Sequence, residues 1–378
     1  MKVALFTGNY NHIRDGVSLT LNRLVKFLQA NGVDVLIFGP TIEEPEINHV
    51  GTLVAVPSLQ LPGRPEYRFS KSFPNTVREK LEKFDPDIVH IATPDFLGYK
   101  ALKWAISKNK PIVSSYHTHF ASYLKYYKLS LLEPLLWKYL LWFYSKCEQV
   151  FVPTESMAET LRAKEIESDL KIWARGIEND SFNPQKRSNE WRKEQGFGRD
   201  DIVISFVSRL VWEKNLELFA DVLKNLSENY NNVRALVVGD GPAGEGMKKL
   251  LPDAVFTGFL QGEDLSTAYA SSDIFFFPSD TETFGNVTLE AMASGLPCVV
   301  ADAAGSKSLI EHNVNGYLAP VGKKDEFYHY VEKLVKDEEL RNKMSEKSLR
   351  KASLYSWEVI NGKLLSYYQD VTDKINRS

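Results

Sequence analysis

At 378 residues the chain is long enough for two domains of the usual roughly 150 residues each. Its 43% hydrophobic and 25% charged content excludes a disordered chain, a collagen and a disulfide scaffold. With 46 Lys and Arg against 49 Asp and Glu the net charge is -3, so no global basic field draws in nucleic acid and any anion site must be local.

The N-terminal run Val3-Ala4-Leu5-Phe6-Thr7 is too short for a leader peptide and reads as the first strand. Short β-branched runs then alternate with amphipathic stretches, the pattern of parallel sheets covered by helices. In the first half strands are expected at 3–7, 33–38, 88–91, 112–115, 149–152 and 171–174, and in the second at 202–208, 233–238, 254–257, 274–277, 298–300 and 316–319. Helices are expected at 216–228 and 287–294. The α/β fold therefore reads as two doubly wound, Rossmann-like domains. The seam is expected in the charged stretch 181–201, giving a first domain of 1–183 and a second of 184–356. Beyond it, Ile360, Leu364, Tyr368 and Val371 make a helical stripe that must bury against something, and 357–378 is expected to pack back on the first domain.

The most apolar window, 129–144, is broken by Glu133, Pro134 and Lys138 and falls short of the roughly 20 residues a membrane span needs. Cys147 and Cys298 are far apart and read as two buried thiols in a reducing compartment. Asp85-Pro86-Asp87 mimics a metal-binding pair, but a helix-to-strand turn explains it better. Two histidines, His117 and His119, share a strand face without a nearby third ligand, which argues against zinc.

Chemistry concentrates in a few segments. Arg209 and Lys214 follow a predicted parallel strand, at the edge where open α/β sheets hold ligands, and together they would neutralise a diphosphate. An isolated pair of this kind is more often a solvated loop, so context decides. That context is Glu282-Thr283-Phe284-Gly285-Asn286-Val287-Thr288-Leu289-Glu290, which reads as a turn entering a helix. Glu282 lies in the turn and Glu290 about one turn inside the helix, so both can face one pocket. The amides around Phe284, Gly285, Asn286 and Val287 are anion donors, and a carboxylate grips neighbouring sugar hydroxyls. Gly239-Asp240-Gly241-Pro242 follows another strand and admits close backbone approach, while Gly8 and Arg14-Asp15-Gly16 form a polar N-terminal loop. That loop lacks the Gly-x-Gly-x-x-Gly spacing, which counts against a dinucleotide-binding dehydrogenase.

Taken together these motifs resemble the retaining nucleotide-sugar glycosyltransferases of family 4, with the GT-B fold, over nearly the whole chain. The segments Tyr116-His117-Thr118-His119, Trp173-Ala174-Arg175-Gly176-Ile177-Glu178 and 260–273 resemble the branch that includes lipid mannosyl- and sulfoquinovosyl-transferring enzymes. The resemblance implies two Rossmann-like domains facing across a cleft, with Arg209 and Lys214 on the diphosphate and Glu290 on the ribose. It also implies Glu282 and the backbone of Phe284, Gly285 and Asn286 on the transferred sugar, alongside Gly239 and Val287. Gly16 would approach the phosphate from the first domain and His117 would face the sugar; Asp15-Gly16 stands where many relatives have Gly-Gly. The donor is a nucleoside diphosphate sugar carrying guanine or uracil, the acceptor a lipid or glycan hydroxyl, and no metal or other cofactor is required. The aromatic and basic stretch 120–128, with the helix that follows, suits peripheral contact with an anionic membrane, on the inner face of a cytoplasmic enzyme. A nucleotide-sugar epimerase of the same fold and a non-catalytic nucleotide-sugar sensor are the alternatives.

Overall fold

The computed structural model describes residues 1–61, 64–116, 133–178, 180–282 and 284–377. They form two compact units, Met1–Ala174 with Glu358–Ser378, and Arg175–Trp357.

The first unit contains β1 (Lys2–Phe6), β2 (Asp34–Gly39), β3 (Thr52–Ala55), β4 (Ser58–Leu61), β5 (Arg64–Ser70), β6 (Ile88–Ile91), β7 (Ile112–Ser115), β8 (Gln149–Val152) and β9 (Asp169–Ile172). Seven of them make one sheet in the order β3-β2-β1-β6-β7-β8-β9 with every pairing parallel, while β4 and β5 form an antiparallel ribbon. Parallel strands covered on both faces need unbroken apolar runs, and β6, β7 and β8 are buried at every position. The sequence does not announce β3, β4 and β5, because β3 and β4 are largely exposed and carry no such run. Strand β9 ends two residues before the expected limit, although Trp173 and Ala174 are buried beyond it.

Helix Gly16–Ala30 starts where the Asp15 carboxylate accepts the Ser18 amide at 2.8 Å, and helix Phe96–Ser107 where Asp95 accepts the Gly98 amide at 2.8 Å. Helix Asn75–Phe84 ends on Asp85 in the left-handed region, and Asp87 accepts the Lys2 amide at 2.7 Å, so this Asp pair makes a turn. Helix Trp357–Arg377 buries Ile360, Leu364, Tyr368 and Val371. The Tyr368 hydroxyl lies 2.6 Å from His90 Nδ1, and the other nitrogen of this fully buried ring lies 2.6 Å from Ser115 Oγ. Burial pushes the His90 imidazole down from 6.5 to about 3, so it stays neutral between its two hydroxyl partners.

The second unit contains β10 (Ile202–Val207), β11 (Val233–Val238), β12 (Val255–Gly258), β13 (Ile274–Phe277), β14 (Cys298–Ala301) and β15 (Gly316–Ala319). They form a sheet ordered β12-β11-β10-β13-β14-β15, again parallel throughout. Phenylalanines fill its centre: Phe206 lies 5.1 Å from Phe219 and 5.3 Å from Phe277, and Phe219 lies 5.3 Å from Phe276. The division between units falls after Ala174, ahead of the 181–201 stretch where the charged composition places the seam. Those charges are structural. Arg192, 3% exposed, donates to the carbonyls of Ser271 and Asp201 at 2.8 and 2.7 Å and pairs with Asp273, and Arg187 reaches the carbonyls of Ala270 and Ser272.

Both cysteines are free and buried. Among the described residues no helix is long and apolar enough to cross a membrane. Helix Glu133–Tyr144 puts Trp137, Leu140, Phe143 and Tyr144 in the core but leaves Leu135 65% and Trp142 36% exposed.

Candidate active site

Three loops at the carboxyl edge of the second sheet are bound to one another. The loop after β10 joins the loop after β11 through Leu210 N to Asp240 O at 2.9 Å and Ala243 N to Leu210 O at 3.0 Å. Gly239 sits between them at φ 133°, and a Cβ there would overlap the Ser208 carbonyl, so only glycine lets the two loops lie together. Arg209 is thereby presented on the edge with its guanidinium exposed, and no described residue forms an ion pair or hydrogen bond with that side chain.

The chain then makes a short 3-10 turn, Trp212–Lys214, ended by Asn215 in the left-handed region at φ 56°. The Asn215 side chain donates through Nδ2 to the Pro278 carbonyl at 2.9 Å, which ties this turn to the one after β13. Lys214 lands there as a result. Its Nζ donates to Glu282 Oε1 at 2.6 Å and to Thr281 Oγ1 at 2.9 Å, with the Lys214 and Glu282 side chains 15% and 21% exposed. An ammonium has three protons, so one remains for a ligand after Glu282 and Thr281 are served.

Gly285, at φ 90°, turns the chain into helix Asn286–Ala293. The first amides of such a helix have no intrahelical acceptor and favour an anion. Phe284 is not on the surface: the residue is 4% exposed and its ring packs edge-on to Tyr355 at 6.0 Å. Asn286 is exposed and Val287 half-buried. One turn into the helix, half-buried Glu290 accepts the Tyr269 hydroxyl on Oε2 at 3.0 Å. Burial lifts the Glu290 carboxyl to about 7, against the Tyr269 bond that pulls it down. The Tyr269 hydroxyl is itself raised well above 10.0, by burial first and then by Glu290, with Glu282 also contributing. Both carboxylates thus act on one buried phenol.

The structure therefore gathers Lys214, Glu282 and Gly285 directly, with Glu290 joined through Tyr269 and Arg209 held on the neighbouring loop by Gly239 and Leu210. Gly16 belongs to the first unit, where it is the exposed first residue of its helix. The expectations on His117, His119 and 120–128 fall outside the described residues. Sequence reasoning missed Asn215, Thr281 and Tyr269. A left-handed Asn beside a basic residue was a usable signal for the first; the other two announce themselves only through distances. Among the described residues no three His, Cys, Asp or Glu side chains gather so as to hold a metal ion.

Comparison with known proteins identifies the family. Residues 187–351 match the model for Glycosyl transferases group 1, and residues 14–181 the model for Glycosyltransferase Family 4. The chain is 32% identical to a GDP-mannose-dependent alpha-mannosyltransferase of Corynebacterium glutamicum over 98% of its own length and 89% of the relative's. It is 31% identical to a sulfoquinovosyl transferase of Arabidopsis thaliana, covering 92% of this chain and 69% of that one. An alpha-monoglucosyldiacylglycerol synthase of Streptococcus pneumoniae is 27% identical over 84% and 75% of the two chains. Among solved structures, sucrose-phosphate synthase from Thermosynechococcus elongatus superposes with a TM-score of 0.73 at 17% identity, covering 99% of both chains, which places the fold in the GT-B class. Matched in both halves, and along nearly its full length by a transferase at 32% identity, the chain belongs to the family 4 glycosyltransferases and is an enzyme of that class.

Proposed function

We propose that the enzyme moves a mannose- or glucose-like sugar from a guanosine or uridine diphosphate to a hydroxyl of a lipid or glycan acceptor, with retention at the anomeric carbon. The observation that carries this reading is the Lys214–Glu282 contact at 2.6 Å, which fixes a cation and a sugar-gripping acid at one sheet edge beside the Arg209 loop. The relatives' names support the substrates: one is GDP-mannose-dependent and another makes a glucosyldiacylglycerol. The three relatives described above are named as two transferases and a synthase, so the epimerase and sensor alternatives gain no support.

In this reading Arg209 and the third proton of Lys214 take the diphosphate, helped by the amides of Asn286 and Val287. Glu282 and the backbone of Phe284 and Gly285 hold the sugar, Gly239 leaves room for the nucleotide, and Glu290 accepts the ribose hydroxyls. Gly16 supplies a backbone contact to phosphate and His117 faces the sugar, both on the strength of the sequence resemblance. The acceptor hydroxyl attacks from the face that the diphosphate leaves, and the departing phosphate takes its proton. The protein's contribution is placement of both reactants and stabilisation of charge on the leaving group. Proton NMR of the product tests the stereochemistry: the donor's anomeric configuration is expected, and an inverted product overturns this mechanism.

Contact with an anionic membrane through helix Glu133–Tyr144 belongs to the same reading. Its support is the exposed pair Leu135 and Trp142 next to exposed Lys138, an apolar and basic face on a helix whose other side is in the core.

A further inference from the structure

We infer that Tyr269 is a positioning residue for the donor: its hydroxyl holds one oxygen of the Glu290 carboxylate and so aims the other at the ribose. The inference rests on the proposed ribose role of Glu290. Tyr269 has no exposed surface, and its ring is fixed edge-on to Phe182 at 5.8 Å and against Phe275 at 6.0 Å. A ring so confined delivers its O–H to one point, and that point is Glu290 Oε2 at 3.0 Å. Glu290 Oε1 has no described partner and is the oxygen left for a ligand.

The direction of the proton balance follows from the neighbours. Groups acting on this phenol are Glu290 from its helix, Glu282 from the turn after β13, and Cys298 from β14. Lys214 from the 3-10 turn is engaged with Glu282, and the Cys298 thiol is pushed far up by burial and stays neutral. The Tyr269 hydroxyl keeps its proton and always donates, so it is the described group that hydrogen-bonds Glu290 and counters the burial that drives its carboxyl toward about 7. Without this donor the carboxyl would titrate higher, and the neutral acid is a poorer acceptor for two ribose hydroxyls.

The test is calorimetric binding of GDP, UDP and their 2′-deoxy analogues to the full chain and to Tyr269→Phe, Glu290→Gln and the double variant, from below to above pH 7. Tyr269→Phe is expected to weaken ribonucleotide binding about tenfold, the scale of one hydrogen bond to a charged group. It should also move the pH midpoint of binding upward, narrow the preference for ribo over 2′-deoxy ligands, and raise KM more than it lowers kcat. The double variant should bind as Glu290→Gln does. A Tyr269→Phe enzyme with unchanged midpoint and unchanged ribose preference overturns the inference while Glu290→Gln still weakens binding. Full affinity in Glu290→Gln instead overturns the ribose role beneath it. Should Tyr269→Phe fail to fold, 3-fluorotyrosine at 269 keeps the ring and strengthens the donor. The midpoint must then move downward, and an unmoved midpoint overturns the inference.

Discussion

The two units share one topology and use it differently. In both, the first strand lies centrally, the next two follow on one side and the later strands on the other, so each sheet has a switch point, between β1 and β6 in the first unit and between β10 and β13 in the second. In the first unit several polar groups at that point pair with one another, although buried Asn11 Oδ1 and His12 Nε2 beside them have no hydrogen-bond partner among the described residues. The Gly8 amide donates to Thr93 Oγ1 at 3.1 Å, Thr93 donates to Asp95 at 3.2 Å, Asp95 caps its helix, and Asn9 donates to Asp15 at 2.8 Å. The second unit leaves Arg209 without a described partner and binds Lys214 to Glu282 with one proton to spare. The strands beneath differ as well: β6 places a hydrogen-bonded His90 where β13 runs Ile-Phe-Phe-Phe. One architecture thus supports an edge of largely paired neutral and acidic groups and an edge with cationic charge to offer, and topology alone does not say which is which.

The largest expected effect that would break this contrast is on turnover. Arg209→Ala or Lys214→Ala should each lower kcat by at least about 100-fold, the usual loss for one charge-stabilising donor; near-normal rates in either would remove the second edge's special status. Next, His90→Ala should cost about 3 kcal/mol by urea titration, since it leaves a cavity and strips the buried Tyr368 and Ser115 hydroxyls of a partner. His90 also sets a pH dependence. Its folded value of about 3 lies below its ordinary 6.5, so the unfolded chain binds the extra proton and stability falls as pH drops through that window. Replacing His90 with Gln should flatten that slope.

Smaller effects sharpen the comparison. Nucleotide affinity should weaken as pH falls below about 7, where Glu290 protonates, whereas Glu290→Gln should bind weakly at every pH. Asp95→Ala should cost about 1 kcal/mol of stability as a lost helix cap. The thermal shift given by GDP or UDP should be unchanged by it, because Asp95 is outside the set of residues proposed to hold the donor. Smallest is the surface pair: Leu135→Ser with Trp142→Ser should reduce sedimentation with anionic vesicles and leave melting temperature nearly constant.

Much of the sheet architecture was legible because strands such as Ile202–Val207 and Cys298–Ala301 are buried throughout and apolar but for Ser205, a signal that survives without any partner in view. The ribbon β4–β5 was not, since its stability is pairwise and β4, with Leu59 and Gln60 exposed, carries no buried apolar run. The same distinction runs through the site. Glu282 and Glu290 stand in a recognisable turn-helix segment, and Lys214 follows a strand. The contacts that fix them, from Asn215 to the Pro278 carbonyl and from Tyr269 to Glu290, join residues 63 and 21 positions apart, and no local pattern encodes them. The charged stretch around Arg187 and Arg192 misled for a related reason: composition reads as a linker whether its guanidiniums meet water or carbonyl oxygens.

Because helix Trp357–Arg377 completes the first unit after the chain has traversed the second, the core of the first unit cannot be fully covered during synthesis until everything between has been made. Until then His90 lacks one hydroxyl neighbour, and the faces of Phe151 and Trp173, which meet Tyr368 and Asn361 in the finished molecule, stay uncovered. A fragment stopped at Ala174 would carry that open seam permanently, so the natural cut for isolating the second unit is the one that excises Arg175–Trp357 whole.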